Sequence, residues 1–183
     1  YRFPWLTSFM ETMLLRVWYP TTVASRTLYM KKAIKPYFEK MADGGMDFAV
    51  LDFGSRGASS HESSALGGLG HLLHFKGSDN IPAIIAARNS YGENMAAYSV
   101  AATEHSVMTA FGRESELQSF EYLIENMAPV GGVLSVVADS WDVFEAAKKF
   151  VSLKEKIINK NVTLVFRPDS GLIEQVLPPI IET

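Results

Sequence analysis

Apolar residues recur along this chain in two spacings. Leu6, Met10, Met13, Leu14 and Val17 follow Pro4 at helical intervals, which predicts a helix over residues 4–18. Pro20 is expected to interrupt it. A second helix is expected with Leu28, Ile34, Tyr37 and Phe38 on its apolar side, ended by Asp43-Gly44-Gly45. Short continuous apolar runs read instead as buried strands: Phe48-Ala49-Val50-Leu51, Val133-Leu134-Ser135-Val136-Val137 and Val162-Thr163-Leu164-Val165-Phe166. Leu72-Leu73-His74-Phe75 reads as a shorter strand, and residues 98–102 as a marginal one. Helical patterns cover 61–72, 81–91, 105–111, 114–127 and 141–158, and a last helix begins near Leu172. Val143, Phe144, Ala147 and Phe150 are expected to face inward. Ser59 and Ser60 offer N-caps to the third helix, and Thr103 to the one through His105. Gly67, Gly68 and Gly70 inside the third helix predict close packing against a neighbour.

Strands that alternate with helices imply an α/β fold with a largely parallel sheet. Four clear strands and one marginal one fall short of the eight of a complete (β/α) barrel. The chain therefore reads as one segment, 1–183, whose strands fit an incomplete α/β barrel or another parallel sheet. Such a sheet has open edges, which normally are covered. Both ends look cut: the chain starts Tyr1-Arg2-Phe3 and stops in Pro178-Pro179-Ile180-Ile181-Glu182-Thr183. Composition narrows the class. A net charge of -3 gives no electrostatic case for nucleic acid or an anionic membrane. The absence of cysteine excludes disulfides and thiolate metal sites, and favours a cytoplasmic protein. No apolar run is long enough to span a bilayer.

The reactive residues collect at strand ends. Asp52, Phe53 and Arg56 follow the first strand; Lys76 and Asp79 the second; Asp139 and Asp142 the fourth, which also carries Ser135; Arg167 and Asp169 end the last. His105 follows the marginal strand. Parallel strands bring such ends to one face. Arginines, a lysine, a histidine, aspartates and an aromatic ring suit a phosphorylated substrate with magnesium and a flat ring to stack.

Five motifs carry a resemblance: Asp52-Phe53-Gly54-Ser55-Arg56-Gly57, Phe75-Lys76-Gly77-Ser78-Asp79, Tyr98-Ser99-Val100 with Glu104-His105-Ser106, Ser135-Val136-Val137-Ala138-Asp139-Ser140, and Arg167-Pro168-Asp169-Ser170-Gly171. Their order and spacing resemble the nicotinamide phosphoribosyltransferases, within the nicotinate/nicotinamide phosphoribosyltransferase family, over about residues 11–171. The resemblance implies part of an irregular (β/α) barrel of the type II phosphoribosyltransferase kind. It implies transfer of phosphoribosyl from phosphoribosyl pyrophosphate to nicotinamide, giving nicotinamide mononucleotide and pyrophosphate for NAD biosynthesis. It also implies Mg2+ with the phosphoribosyl pyrophosphate, ATP as a coupled substrate, and a homodimer with sites at the subunit interface.

By the same resemblance, Phe53 stacks on the pyridine ring and Arg167 lines its pocket and reaches toward phosphate. Asp79 accepts from the carboxamide, and Ser135 lies near the amide. Arg56 and Asp169 hold the phosphoribosyl substrate. His105 is phosphorylated from ATP, and Asp139 orients it. Leu51 departs from the pattern, because animal members carry a histidine there; Ala101 replaces a proline. The family's glycine-rich phosphate loops lie C-terminal to Gly171, and the tyrosine that stacks from the partner subunit lies N-terminal to this segment. The segment alone is therefore expected to be inactive. A nicotinate phosphoribosyltransferase is the alternative enzyme, and a non-catalytic ligand-binding or oligomerisation piece the alternative from another class.

Plainer readings compete at several residues. His61, His71 and His74 suit surface or packing roles better than a metal site. Glu104 next to His105 reads as a structural or capping residue, since neighbours on a helix point apart. Lys148, Lys149, Lys154, Lys156 and Lys160 read as a solvated helix face. Trp5, Trp18 and Trp141 are expected in a core or an interface. Asp142 suits the N-terminal end of a helix. Asp79 is open to a capping role within Ser78-Asp79-Asn80.

Overall fold

The computed structural model describes residues 2–41 and 45–183. The helix stop expected at Asp43-Gly44 lies outside them. Two compact units form, residues 1–99 and 100–183.

The first unit begins with one long helix, α1 (Leu6–Phe38), rather than two. Pro20 does not break it. A proline removes one i→i−4 bond and crowds the preceding turn, but the helix continues as Thr21 and Thr22 donate their hydroxyls to the carbonyls of Val17 and Trp18 at 2.7 and 2.9 Å. Packing holds this stretch. α2 (His61–Leu72) is capped by Ser60, whose Oγ accepts from the Ser63 N–H at 3.0 Å. A Cβ on Gly70 would stand 2.6 Å from the Pro20 carbonyl oxygen, so α2 approaches the α1 backbone closely. The glycines of α2 thus serve close packing, as their spacing predicts.

The first strand is shorter than its apolar run. Residues 45–48 form a 3₁₀ turn, and β1 is only Leu51–Asp52. Phe48 and Leu51 are exposed rather than buried. The apolar run 72–75 is not a strand either. It closes α2, with the His74 and Phe75 N–H groups both bonded to the His71 carbonyl. Phe75 is fully buried. β2 (Gly77–Ser78) comes after it and pairs parallel with β1, Leu51 against Gly77 and Asp52 against Ser78. Tyr98 adds a parallel bridge to Gly77. α3 (Ile81–Tyr91) follows, ending at Gly92, whose φ of 70° is the left-handed cap glycine tolerates.

The second unit holds a three-stranded parallel sheet in the order β3 (Ala101–Ala102), β4 (Val133–Val137), β5 (Thr163–Arg167). α4 (His105–Ala110), α5 (Glu116–Asn126), α6 (Val143–Ser152) and α7 (Lys154–Lys160) intervene, and α8 (Ile173–Glu182) closes the unit. Its core joins Phe120, Leu123 and Ile124 of α5 to Leu134, Val136 and Val137 of β4 and to Phe150 of α6. Each such side chain contributes about 1.5–3 kcal/mol on burial. Phe150 meets the Phe166 ring edge-on at 5.1 Å.

The expected helix over 141–158 is two helices. The Leu153 N–H bonds to the Phe150 carbonyl, an i→i−3 contact that tightens and ends α6. Phe144 is exposed, not inward. The buried face runs through Ala146, Ala147 and Phe150, and Phe144 lies off that stripe. Asp142 caps α6, accepting from the Phe144 and Glu145 N–H groups, both at 3.0 Å. The lysine face is more than solvated: Lys149 bonds the buried Glu116 at 2.6 Å, and Lys156 bridges Glu121 and Glu125. Trp5, Trp18 and Trp141 stand outside the core. No helix among the described residues is long and apolar enough to cross a membrane.

Candidate active site

The first unit carries three of the eight residues given roles by the resemblance: Phe53, Arg56 and Asp79. Register decides their placement. Asp52 pairs with Ser78, so Phe53 and Asp79 are the next residues beyond two adjacent parallel strands. The Asp79 N–H donates to the Asp52 carbonyl at 3.0 Å. An aromatic ring and a carboxylate therefore leave the same edge of one small sheet. Phe53 is 45% exposed. Arg56 sits on the 3₁₀ turn Gly54–Gly57 that follows, and is exposed.

Asp79 is not the helix cap. Asn80 is: its Oδ1 accepts from the Ala83 N–H at 3.1 Å. The Asp79 carboxylate is left exposed, and Ser99 Oγ donates to its Oδ1. A carboxylate has more acceptor positions than one hydroxyl can fill. Beside Phe53 a cavity of ≈ 310 Å³ opens, walled by Val50, Leu51, Asp52, Ser64 and His71. Leu51 adds an apolar side chain to this wall. A larger cavity, ≈ 840 Å³, lies among α1, α2, α3 and the 93–96 segment; of the reactive strand-end residues only Lys76 lines it, and Phe53, Arg56 and Asp79 do not.

The second unit carries the other five. His105 stands at the start of α4, just beyond β3. Asp139 and Asp169 each lie two residues beyond the parallel strands β4 and β5. Three strand ends thus converge on the imidazole. His105 Nε2 lies 3.0 Å from Asp139 Oδ1, and Nδ1 lies 3.9 Å from Asp169 Oδ2. A carboxylate only accepts, so Nε2–H is the donor in this contact, and Nδ1 carries the lone pair whenever the ring is neutral. The Asp139 side chain is 4% exposed, whereas Asp169 is open to solvent. Burial pushes the Asp139 carboxyl up, but hydrogen bonds from Ser170 and His105, with the His105 charge, outweigh it and hold it below the ordinary aspartate value.

Arg167 ends β5, and its Nη2 donates to the Thr103 carbonyl at 2.9 Å. Ser135 is buried inside β4, where its carbonyl accepts the Thr103 N–H. Thr103 does not cap α4 as expected. Its hydroxyl instead accepts the Val137 N–H at 3.0 Å, which ties β3 to the end of β4. Glu104 takes the N-cap position of α4 without a side-chain cap bond, and the Ser106 hydroxyl bonds its carboxylate. His71 lies in α2, and its Nε2 meets the Gly77 carbonyl oxygen at 2.9 Å. No group of three or more His, Asp or Glu side chains among the described residues is spaced to hold a metal ion.

Three residues escaped the sequence reading: Asn80, Ser99 and Ser170. All lie inside motifs already noted. The pattern Ser78-Asp79-Asn80 signals a cap, but only the register of β2 decides which of the three provides it.

Known proteins resemble this chain closely. A nicotinamide phosphoribosyltransferase of Xanthomonas campestris pv. campestris is 40% identical over 182 residues, 94% of this chain and 39% of that protein. One from Acinetobacter baylyi is 37% identical over 180 residues, covering 92% and 35%. One from Mycoplasma pneumoniae is 33% identical over 177 residues, covering 94% and 37%. The chain thus spans less than two-fifths of the length of each of these relatives. The model of the nicotinate phosphoribosyltransferase (NAPRTase) family matches residues 48–183. That match takes in every one of the five motifs, and the chain belongs to the nicotinate phosphoribosyltransferase family.

Proposed function

We propose that the protein transfers phosphoribosyl from phosphoribosyl pyrophosphate to nicotinamide, releasing nicotinamide mononucleotide and pyrophosphate. The observation that carries this is the Phe53–Asp79 pair, a ring and a carboxylate on neighbouring strand ends. Phe53 stacks on the pyridine. Asp79, held by Ser99, accepts from the carboxamide N–H. Relatives named nicotinamide phosphoribosyltransferase support the same choice of base. By the family resemblance, Arg56 and Asp169 hold the phosphoribosyl substrate, Arg167 lines the pyridine pocket and reaches toward phosphate, and Ser135 serves the amide.

The pyridine nitrogen attacks C1 of the ribose with its own lone pair as pyrophosphate leaves. A neutral pyridine has no proton to lose, so the reaction requires no base. Positioning and charge stabilisation then supply most of the rate. His105 is free for another task. Its Nδ1 lone pair accepts a phosphoryl group from ATP, with ADP leaving, while Asp139 keeps the ring oriented through Nε2–H. Magnesium belongs with the phosphates, where it needs few protein carboxylates, and exposed Asp169 is suited to approach it. The proposed setting is part of an irregular (β/α) barrel in a cytoplasmic homodimer.

Asp79→Asn tests the base. Nicotinate would set a second carboxylate against Asp79, and like charges at contact distance cost several kcal/mol. With asparagine, the ratio of kcat/KM for nicotinamide over nicotinate should fall at least about tenfold, roughly 1.4 kcal/mol. Stability should barely change, since Asn80 and not Asp79 caps α3. An unchanged ratio would favour nicotinate phosphoribosyl transfer instead.

A further inference from the structure

Asn80 does more than begin a helix. It is 2% exposed, and both ends of its amide are used. Oδ1 accepts from the Ala83 N–H and from Ser64 Oγ, each at 3.1 Å. Nδ2 donates to the Ser64 carbonyl at 3.0 Å and to Asp52 Oδ2 at 3.1 Å. The other oxygen of Asp52 accepts the Gly54 N–H at 2.8 Å. Asp52 and Gly54 are the residues on either side of Phe53. The carboxylate therefore spans the backbone of the ring-bearing residue, and Asn80 holds that carboxylate from below.

The same network continues under the arginine turn. Ser55 Oγ lies 2.9 Å from Ser64 Oγ, which itself bonds Asn80. Room for the amide comes from α2: a Cβ on Gly68 would stand 2.6 Å from Asn80 Nδ2. Asn80 is also the residue directly after Asp79. One buried side chain thus fixes the turn that carries Phe53 while its own backbone fixes the residue that carries the carboxylate. Helix capping explains the Oδ1 bond to Ala83. It does not explain the donor bond to Asp52.

We propose that Asn80, acting through Asp52, is a positioning residue that sets the Phe53 ring relative to the Asp79 carboxylate, and so the affinity for the pyridine substrate. The inference rests on the function proposed above. A hydrogen-bonded network anchored on a buried amide holds its members in one geometry. A shift of a stacking ring by a fraction of its width loses the productive contact.

Asn80→Ser separates positioning from capping. Serine still caps a helix, but it is too short to reach Asp52. The experiment uses the intact protein, with hydrogen–deuterium exchange across residues 53–57 and steady-state kinetics side by side. The expected result is faster exchange in that turn and a KM for nicotinamide raised about tenfold, with kcat changed less than about threefold. Asn80→Asp, which keeps the cap and the side-chain length but loses the donor, should show the same two effects if Asn80→Ser folds poorly. An active enzyme whose nicotinamide KM is indifferent to both substitutions would overturn the inference and leave the functional reading intact. A wild-type protein that transfers phosphoribosyl to neither pyridine would overturn the functional reading, and the inference with it.

Discussion

Asp139 illustrates how one residue can be read for stability and chemistry together. Its side chain is buried, yet its carboxyl is held below the usual value, because donation from Ser170 and His105 outweighs desolvation. The sign of the linkage follows. A folded-state pKa below the unfolded one, about 3.9, stabilises the fold above that pH, and the contribution is lost as pH falls through the folded value. Asp139→Asn keeps the shape but not the charge. The wild-type melting temperature should therefore exceed that of the variant by a steady margin from pH 7 to about pH 5. The margin should shrink below about pH 4. A margin that stays constant to pH 3 would mean that the carboxylate is not stabilised in the fold. Phe53, Asp79, His105 and Asp139 were legible from the sequence as candidates because they lie in the motifs that carry the family resemblance. Their supports were not. Asn80, Ser99 and Thr103 act through bonds to residues distant in sequence, and no local pattern tells which hydroxyl or amide will reach which carbonyl.

At the scale of elements, the second unit was the more readable. Its strands at 133–137 and 163–167 fall within one residue of their apolar runs, because each packs helices against a shared core. The first unit resisted. Phe48-Ala49-Val50-Leu51 and Leu72-Leu73-His74-Phe75 have strand composition, but a 3₁₀ turn ends at Phe48, bends follow at Ala49 and Val50, and α2 ends at Leu72 with a turn through His74. Short apolar runs carry no period, so tertiary contacts decide them. The Pro20 stop failed for a related reason: the penalty of one proline is about 3 kcal/mol, within reach of what packing along a long helix restores. That packing depends on α2 lying close to α1. Gly70→Ala would drive a methyl to 2.6 Å from the Pro20 carbonyl and 3.2 Å from the Ala24 nitrogen, both backbone atoms. It should lower stability by about 1–3 kcal/mol in denaturant titration. Gly57→Ala, with nothing within 4 Å of the added carbon, is the matched control. Equal stability of the two variants would show that the helices do not press together at Gly70.

For the molecule as a whole, family membership and parallel strand pairing agree with the α/β reading of the sequence. The observed sheets are a pair of strands and a trio, each described within its own unit. The reading that matters most is chemical. It holds that a phenyl ring and a carboxylate select a neutral pyridine amide, and that the pyridine nitrogen displaces pyrophosphate unaided by a base. The most direct measurement is a product assay on the purified intact protein with phosphoribosyl pyrophosphate, Mg2+ and an equal mixture of nicotinamide and nicotinate, resolved by mass spectrometry. The account predicts nicotinamide mononucleotide and pyrophosphate in equal amounts, with nicotinate mononucleotide a minor product. Nicotinate mononucleotide in excess, or pyrophosphate released without either nucleotide, would contradict it.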